Sequence, residues 1–133
     1  MFLQPFGIHH VAIQVHDLGP IVRFYETVLR LSRYTERLND DGTLRSVWLA
    51  IGPARLVLEQ VAGDVHEDAE FRTDTPGLHV LALQIDVADR EGWRTHLKKQ
   101  GVRIVQETAY SLFFRDPEGN RLAVTHYPDP APT

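Results

Sequence analysis

The chain lacks cysteine altogether. That absence excludes disulfides, thiolate metal sites and cysteine nucleophiles. It also lacks a basic excess: 14 Lys and Arg stand against 18 Asp and Glu, for a formal net charge of −4 and a pI near 5.9. The densest basic patch, HLKK, is short. Sequence-independent nucleic-acid binding needs many phosphate contacts, and nothing here supplies them. No apolar run approaches the roughly 20 residues of a membrane span. The opening MFLQPFG has neither the basic region nor the apolar core of a secretory signal. The expectation is a cytoplasmic protein that meets neither nucleic acid nor membrane.

What is present suits one compact domain. The 133 residues are 43% hydrophobic and 24% charged, ordinary values for a chain that buries a core. IHHVAIQV alternates and reads as a strand. In HDLGPIVRFYETVLRL, Ile21, Phe24, Tyr25 and Val28 recur at helical spacing. Asp17 is placed to cap that helix, and Pro20 is tolerated in its first turn. SRYTERL, LRSVWLAIG and ARLVLEQVA read as three strands. The polar stretch GDVHEDAEFRTDTPG has no clear period and reads as a long loop.

The order then restarts. LHVLALQID is a strand, and VADREGWRTHLKKQG a helix with Trp93 and Leu97 inward and Gly101 as its stop. VRIVQET, YSLFFRD and NRLAVTH are three more strands, with DPEGN as a hairpin turn. The tail YPDPAPT carries three prolines and reads as frayed. HHVAIQV laid on HVLALQI matches His9 with His79, Ala12 with Ala82 and Gln14 with Gln84. Internal repetition of this kind signals a duplicated module. The predicted class is α+β, with two βαβββ modules at about 7–61 and 77–127, a linker at 62–76 and a tail at 128–133.

The doubled β-α-β-β-β order, HHVAIQVHDL followed by FYETVL, and FFRDPEGNRLAVTH near the end resemble the vicinal oxygen chelate superfamily. That group includes glyoxalase I, extradiol dioxygenases, fosfomycin-resistance transferases and bleomycin-binding proteins. The resemblance covers about residues 7–127. It implies strands curled into a cup with helices outside, closed by two modules from one chain or from two chains. It implies a homodimer, a small-molecule ligand and, in metal-dependent members, a divalent ion chelated by two neighbouring substrate oxygens. The ion (Zn, Ni, Fe or Mn) would act as a Lewis acid.

The first strand supports part of that implication. Val11, Ile13 and Val15 form an apolar face suited to packing under a helix. His10, Ala12 and Gln14 form a mixed face suited to a cavity. His10 is therefore expected inward and His9 away. The resemblance puts a ligand at His10 and a carboxylate at the end of strand four, where RLVLEQV offers Glu59. As a base that leaves the ion, Glu59 would also be catalytic. The second module departs from the family pattern. The repeat sets Val80 opposite His10, and counting six residues from the hairpin proline sets Ala123 opposite Glu59. A hairpin longer by two would put Thr125 there instead.

Three ways out remain open. A β-bulge near Gly77 would rotate His79 inward and give a His10, Glu59, His79 shell. His126 would swing in from a strand end. Or no metal is bound, and the cup takes an organic molecule directly. Trp48, in phase with Ser46 and Ala50, reads as a pocket wall or as core. Phe113 with Arg115, or else Phe114, faces the pocket. Tyr110 stands at the rim as a hydrogen-bond donor, and Ala123 lines the floor. Two functions follow. One is a metal-dependent lyase, isomerase or dioxygenase acting on adjacent oxygens. The other is a metal-free binding protein of the bleomycin-resistance type.

Overall fold

The computed structural model describes residues 3–61 and 78–132. The chain divides into two compact units, Met1–His66 and Glu67–Thr133. Gly77, near which a bulge was one of the three open alternatives, and the polar loop before it lie outside the described residues.

The first unit runs β1 (His10–Val15), α1 (Leu18–Thr27), β2 (Ser32–Leu38), β3 (Leu44–Ile51) and β4 (Ala54–Gln60). Its sheet has the order β1-β4-β3-β2. β1 runs parallel to β4, and the other neighbours are antiparallel. The second unit repeats this with β5 (Leu81–Gln84), a 3-10 turn at Val87–Asp89, α2 (Arg90–Lys99), β6 (Gln106–Glu107), β7 (Ser111–Arg115) and β8 (Arg121–Thr125). Its order is β5-β8-β7-β6, again with one parallel pair. The α+β class and the doubled β-α-β-β-β order are therefore as the sequence predicts.

Alternation decides which side chains form each core. Val15, Val47, Leu49, Leu56 and Leu58 are fully buried on one face of the first sheet. α1 packs on β4 and buries Leu18, Ile21, Val22, Phe24 and Tyr25. Burying each such aliphatic side chain contributes about 1.5–3 kcal/mol. In the second sheet Leu112, Phe114, Leu122 and Val124 are buried in the same phase, and Leu97 of α2 is fully buried as well.

Each helix start is tied to the end of the strand that pairs with the first strand of its unit. Asp17 occupies the N-cap position but makes no side-chain cap bond. Instead Gln60 Oε1 accepts the Leu18 N–H at 3.1 Å, while Gln60 Nε2 donates to the His16 carbonyl. Asp17 is thus not the cap that its position suggested. A glutamine brought in by β4 instead accepts the first N–H of the helix. In the second unit Arg90, the first residue of α2, places Nη1 2.9 Å from His126 Nε2 and donates to the Thr108 carbonyl.

The tail also differs from expectation. Asp129 N–H donates to the His126 carbonyl and Ala131 N–H to the Ala109 carbonyl. These bonds hold the proline-rich end rather than leaving it frayed. No helix among the described residues is long and apolar enough to cross a membrane.

Candidate functional site

The faces opposite the cores carry the chemistry. In the first unit the register aligns His10 with Arg55, Ala12 with Val57 and Gln14 with Glu59. Across β3 it aligns Ala50 with Arg55, Trp48 with Val57 and Ser46 with Glu59. Paired residues share a face, so His10, Trp48, Val57 and Glu59 all stand on the side away from Leu56 and Leu58.

At the start of β1 the rings gather. His10 and Trp48 centroids are 5.2 Å apart, and His9 lies 6.5 Å from Trp48. The Nδ1 atoms of His9 and His10 are 2.9 Å apart. His9 precedes the strand and escapes its alternation, so it joins His10 rather than pointing away as the sequence suggested. Beside them the Arg55 guanidinium sits 4.2 Å over the Tyr34 ring, a cation–π contact.

Glu59 is on this face but at its far end. It lies four residues beyond Arg55, the partner of His10, which at about 3.3 Å per residue is about 13 Å along the strands. Arg45 Nε is 3.5 Å from its carboxylate. The register therefore puts His10 and Glu59 on one face without bringing them together. One ion at 2.0–2.2 Å from each does not fit. The positions level with His10 or one step beyond it on β4 are Arg55 and Val57, and neither is an acid.

In the second unit Ala82 aligns with Ala123 and Gln84 with Thr125. Phe113 aligns with Ala123, Ser111 with Thr125 and Arg115 with Arg121. Phe113 and Arg115 thus share the helix-free face, and Phe114 belongs to the core. Matching the two registers makes Trp48 equivalent to Phe113, Val57 to Ala123, and Glu59 to Thr125. The hairpin proline misled the count: the equivalent rungs Ala50–Arg55 and Arg115–Arg121 enclose four and five residues, and Pro117 stands one place earlier in its hairpin than Pro53 does.

Three further candidates have other partners. Arg121 Nη1 is 2.8 Å from His79 Nδ1 and 3.2 Å from Nε2. A guanidinium always donates, so the nearer nitrogen is an acceptor already facing a cation, an unfavourable place for a metal ion. His126 is buried and in phase with Leu122 and Val124. It faces Arg90 and so does not swing toward the other face. Tyr110 falls in phase with Leu112 and Phe114, and its ring packs edge-on at 5.0 Å against Tyr127. Its ring is a packing contact there. Among the described residues no three His, Asp or Glu side chains converge as a metal site.

Charge is strongest along α2 and β6. Arg94 bonds Glu91 and Glu107, and Arg90 adds a 3.2 Å bond to Glu107. Hydrogen bonding from Arg94 holds the Glu107 carboxyl down at about 2. Desolvation and the nearby Arg115 charge lower the Arg121 guanidinium. Sequence reasoning missed His9, Gln60 and Arg121. For Arg121 a signal existed, because an Arg at each end of a DPEGN hairpin implies a facing pair.

The family model for the Glyoxalase/Bleomycin resistance protein/Dioxygenase superfamily matches residues 7–124. The chain belongs to this superfamily. Solved glyoxalase-type structures share its fold. A lactoylglutathione lyase from Agrobacterium tumefaciens is 22% identical, with a TM-score of 0.68 over 92% of this chain and 95% of that one. The fosfomycin resistance protein FosX from Mesorhizobium loti is 18% identical, with a TM-score of 0.72 over 92% of each chain. A FosX variant from Listeria monocytogenes, in complex with Mn(II) and a dihydroxypropylphosphonic acid, is 16% identical, with a TM-score of 0.72 over 92% of this chain and 93% of that one. At such identities the likeness establishes the fold of this glyoxalase-superfamily chain, and function must come from its own residues.

Proposed function

We propose that the chain is a small-molecule-binding member of the superfamily, with the helix-free sheet faces as its binding surfaces. The observation that carries this reading is the equivalence of Trp48 and Phe113. Each stands at the same register position of its sheet, beside Val57 and Ala123 respectively. Alanines at 12, 50 and 82 flank them in phase and leave the ring faces room for a flat apolar ligand. The poor fit of His10, Glu59 and His79 to one shared ion supports binding over metal chemistry.

A titration tests it. Benzyl alcohol and anionic benzyl compounds are added while tryptophan fluorescence and melting temperature are followed. Wild type is expected to respond, and Trp48→Ala and Phe113→Ala each to lose at least threefold in affinity. An unchanged response in the double variant would overturn the reading.

One observation favours a second function, a divalent-metal enzyme acting on adjacent oxygens as a lyase, isomerase or dioxygenase. Two imidazole nitrogens 2.9 Å apart, each about 2.0–2.1 Å from an ion, subtend about 90° there. That suits cis positions of a square or octahedral centre. His9 and His10 would hold the ion, which supplies Lewis-acid polarisation of a substrate oxygen. Metal analysis after loading with Ni or Zn decides. Stoichiometric metal that is lost in both His9→Ala and His10→Ala supports the enzyme.

We also propose a homodimer. Leu3, Phe6 and Ile8 before β1, and Leu78 and Val80 before or at the approach to β5, are exposed apolar side chains of a kind that interfaces cover. Light scattering on the eluting protein gives the mass.

A further inference from the structure

Resting on the small-molecule-binding reading, we propose that Arg55, with the His9–His10 pair beside it, binds the carboxylate of a small organic ligand whose ring lies against Trp48.

Arg55 is half-buried on the helix-free face of the first sheet. Its Nη1 donates to the Ala54 carbonyl at 3.0 Å, and its guanidinium carbon lies 4.2 Å over the Tyr34 ring. These contacts hold the group in place, and neither brings a negative charge. Among the described residues no carboxylate pairs with it. A guanidinium stays charged and has five N–H donors, so donors remain once Ala54 has taken one. The tyrosine comes from a bulge in β2: Arg33 pairs with Leu49 and Thr35 with Trp48, which leaves Tyr34 as the extra residue. Bulges re-aim side chains and are over-represented beside active sites. Ala50 stands between Arg55 and β2 in the register, and its small side chain lets the arginine stem cross to the ring. A carboxylate in the place of that ring would neutralise the arginine. The ring orients it and leaves the charge for another partner.

A second donor stands on the same rung. His10 is level with Arg55 on the neighbouring strand, about 4.8 Å away between backbones. The Nδ1 atoms of His9 and His10 are 2.9 Å apart, so one ring donates and the other accepts. A neutral ring that accepts at Nδ1 carries its proton at Nε2. Whichever histidine accepts therefore offers an N–H at its far edge, and among the described residues nothing takes it. One guanidinium fork with an imidazole N–H beside it is a donor set for a single carboxylate. Trp48 sets the rest of the ligand. It is the diagonal neighbour of Arg55 across β3 and β4, about 7–8 Å away, and its ring is 5.2 Å from that of His10. A flat ring with a carboxylate one carbon away spans that diagonal.

Calorimetry tests this with phenylacetate, benzyl alcohol and benzylamine, at fixed ionic strength and with a chelator present. Phenylacetate is expected to bind at least tenfold more tightly than the other two. Arg55→Gln should erase that preference and leave the affinity for benzyl alcohol unchanged, and Arg55→Lys should keep part of it. Tyr34→Ala should weaken phenylacetate at least threefold, and Tyr34→Phe, which keeps the ring, should not. Parallel melts show which variants fold, and if Arg55→Gln does not, the two Tyr34 variants decide. Equal binding of phenylacetate and benzyl alcohol, unchanged in Arg55→Gln, would overturn the carboxylate site and leave the aromatic reading standing. A phenylacetate preference that depends on Arg55 but survives unchanged in the Trp48→Ala, Phe113→Ala double variant would keep the carboxylate site and remove the aromatic reading. Binding that appears only when a divalent ion replaces the chelator would overturn direct recognition by Arg55. No binding of any probe would remove both.

Discussion

Gln60 and His126 hold the same register position in their two sheets, one step beyond Glu59 and Thr125. Each touches the first residue of its helix, Leu18 or Arg90. Neither role was legible, because side-chain capping from 42 residues away leaves no local mark. Asp17 carried the local mark and makes no cap bond. Gln60→Leu is therefore expected to cost about 1 kcal/mol, the loss typical of a removed cap. Chemical denaturation of the variant would check this. The candidate site was half legible for the same kind of reason. Phase is written in the sequence, so the register of His10, Trp48, Phe113 and Ala123 puts them on the faces away from the cores, although the choices between Phe113 and Phe114 and between wall and core for Trp48 were open there. Position along a strand is set by pairing, so the distance from His10 to Glu59 was not written there.

At the scale of elements, the two helices end differently. α2 closes with Gly101 at φ 76° and the Val102 N–H on the Leu97 carbonyl at 2.8 Å. Glycine takes that left-handed conformation without steric cost. After α1 the same turn is made by Arg30 at φ 58°, a conformation that costs a side-chain-bearing residue about 1 kcal/mol. Gly101→Ala should therefore lower the melting temperature by a few degrees, read by thermal denaturation. The extents of β5 and β6 were over-read. LHVLALQID pairs only over Leu81–Gln84, because Asp86 already leads into the 3-10 turn. VRIVQET is ladder only at Gln106–Glu107, since the Val102 N–H closes the helix instead. Composition predicts a strand, but the partner fixes its length.

For the whole molecule, acid is the informative variable. Glu107 joins β6 to both Arg90 and Arg94 of α2. Its carboxyl is lowered from 4.5 to about 2 by Arg94. A lowered folded value means stabilisation that is present above about 4.5 and lost as the pH falls toward about 2. Wild type and Glu107→Gln should therefore differ in unfolding midpoint at pH 6 and converge near pH 2. A constant gap across that range would show that the ion pair is not its source. The repeat was legible at this scale because element order survives in composition. Trp48 to Phe113 is a step of 65, Val57 to Ala123 is 66, and His9 to His79 is 70.

The longer β7–β8 hairpin acts as a phase shifter between the halves. Anyone transplanting a side chain from one half to the other must recalibrate after each turn, or the graft lands a rung away from its target. An acid meant to meet His10 would be installed at Val57, and a mirror of it at Ala123, never by copying Glu59.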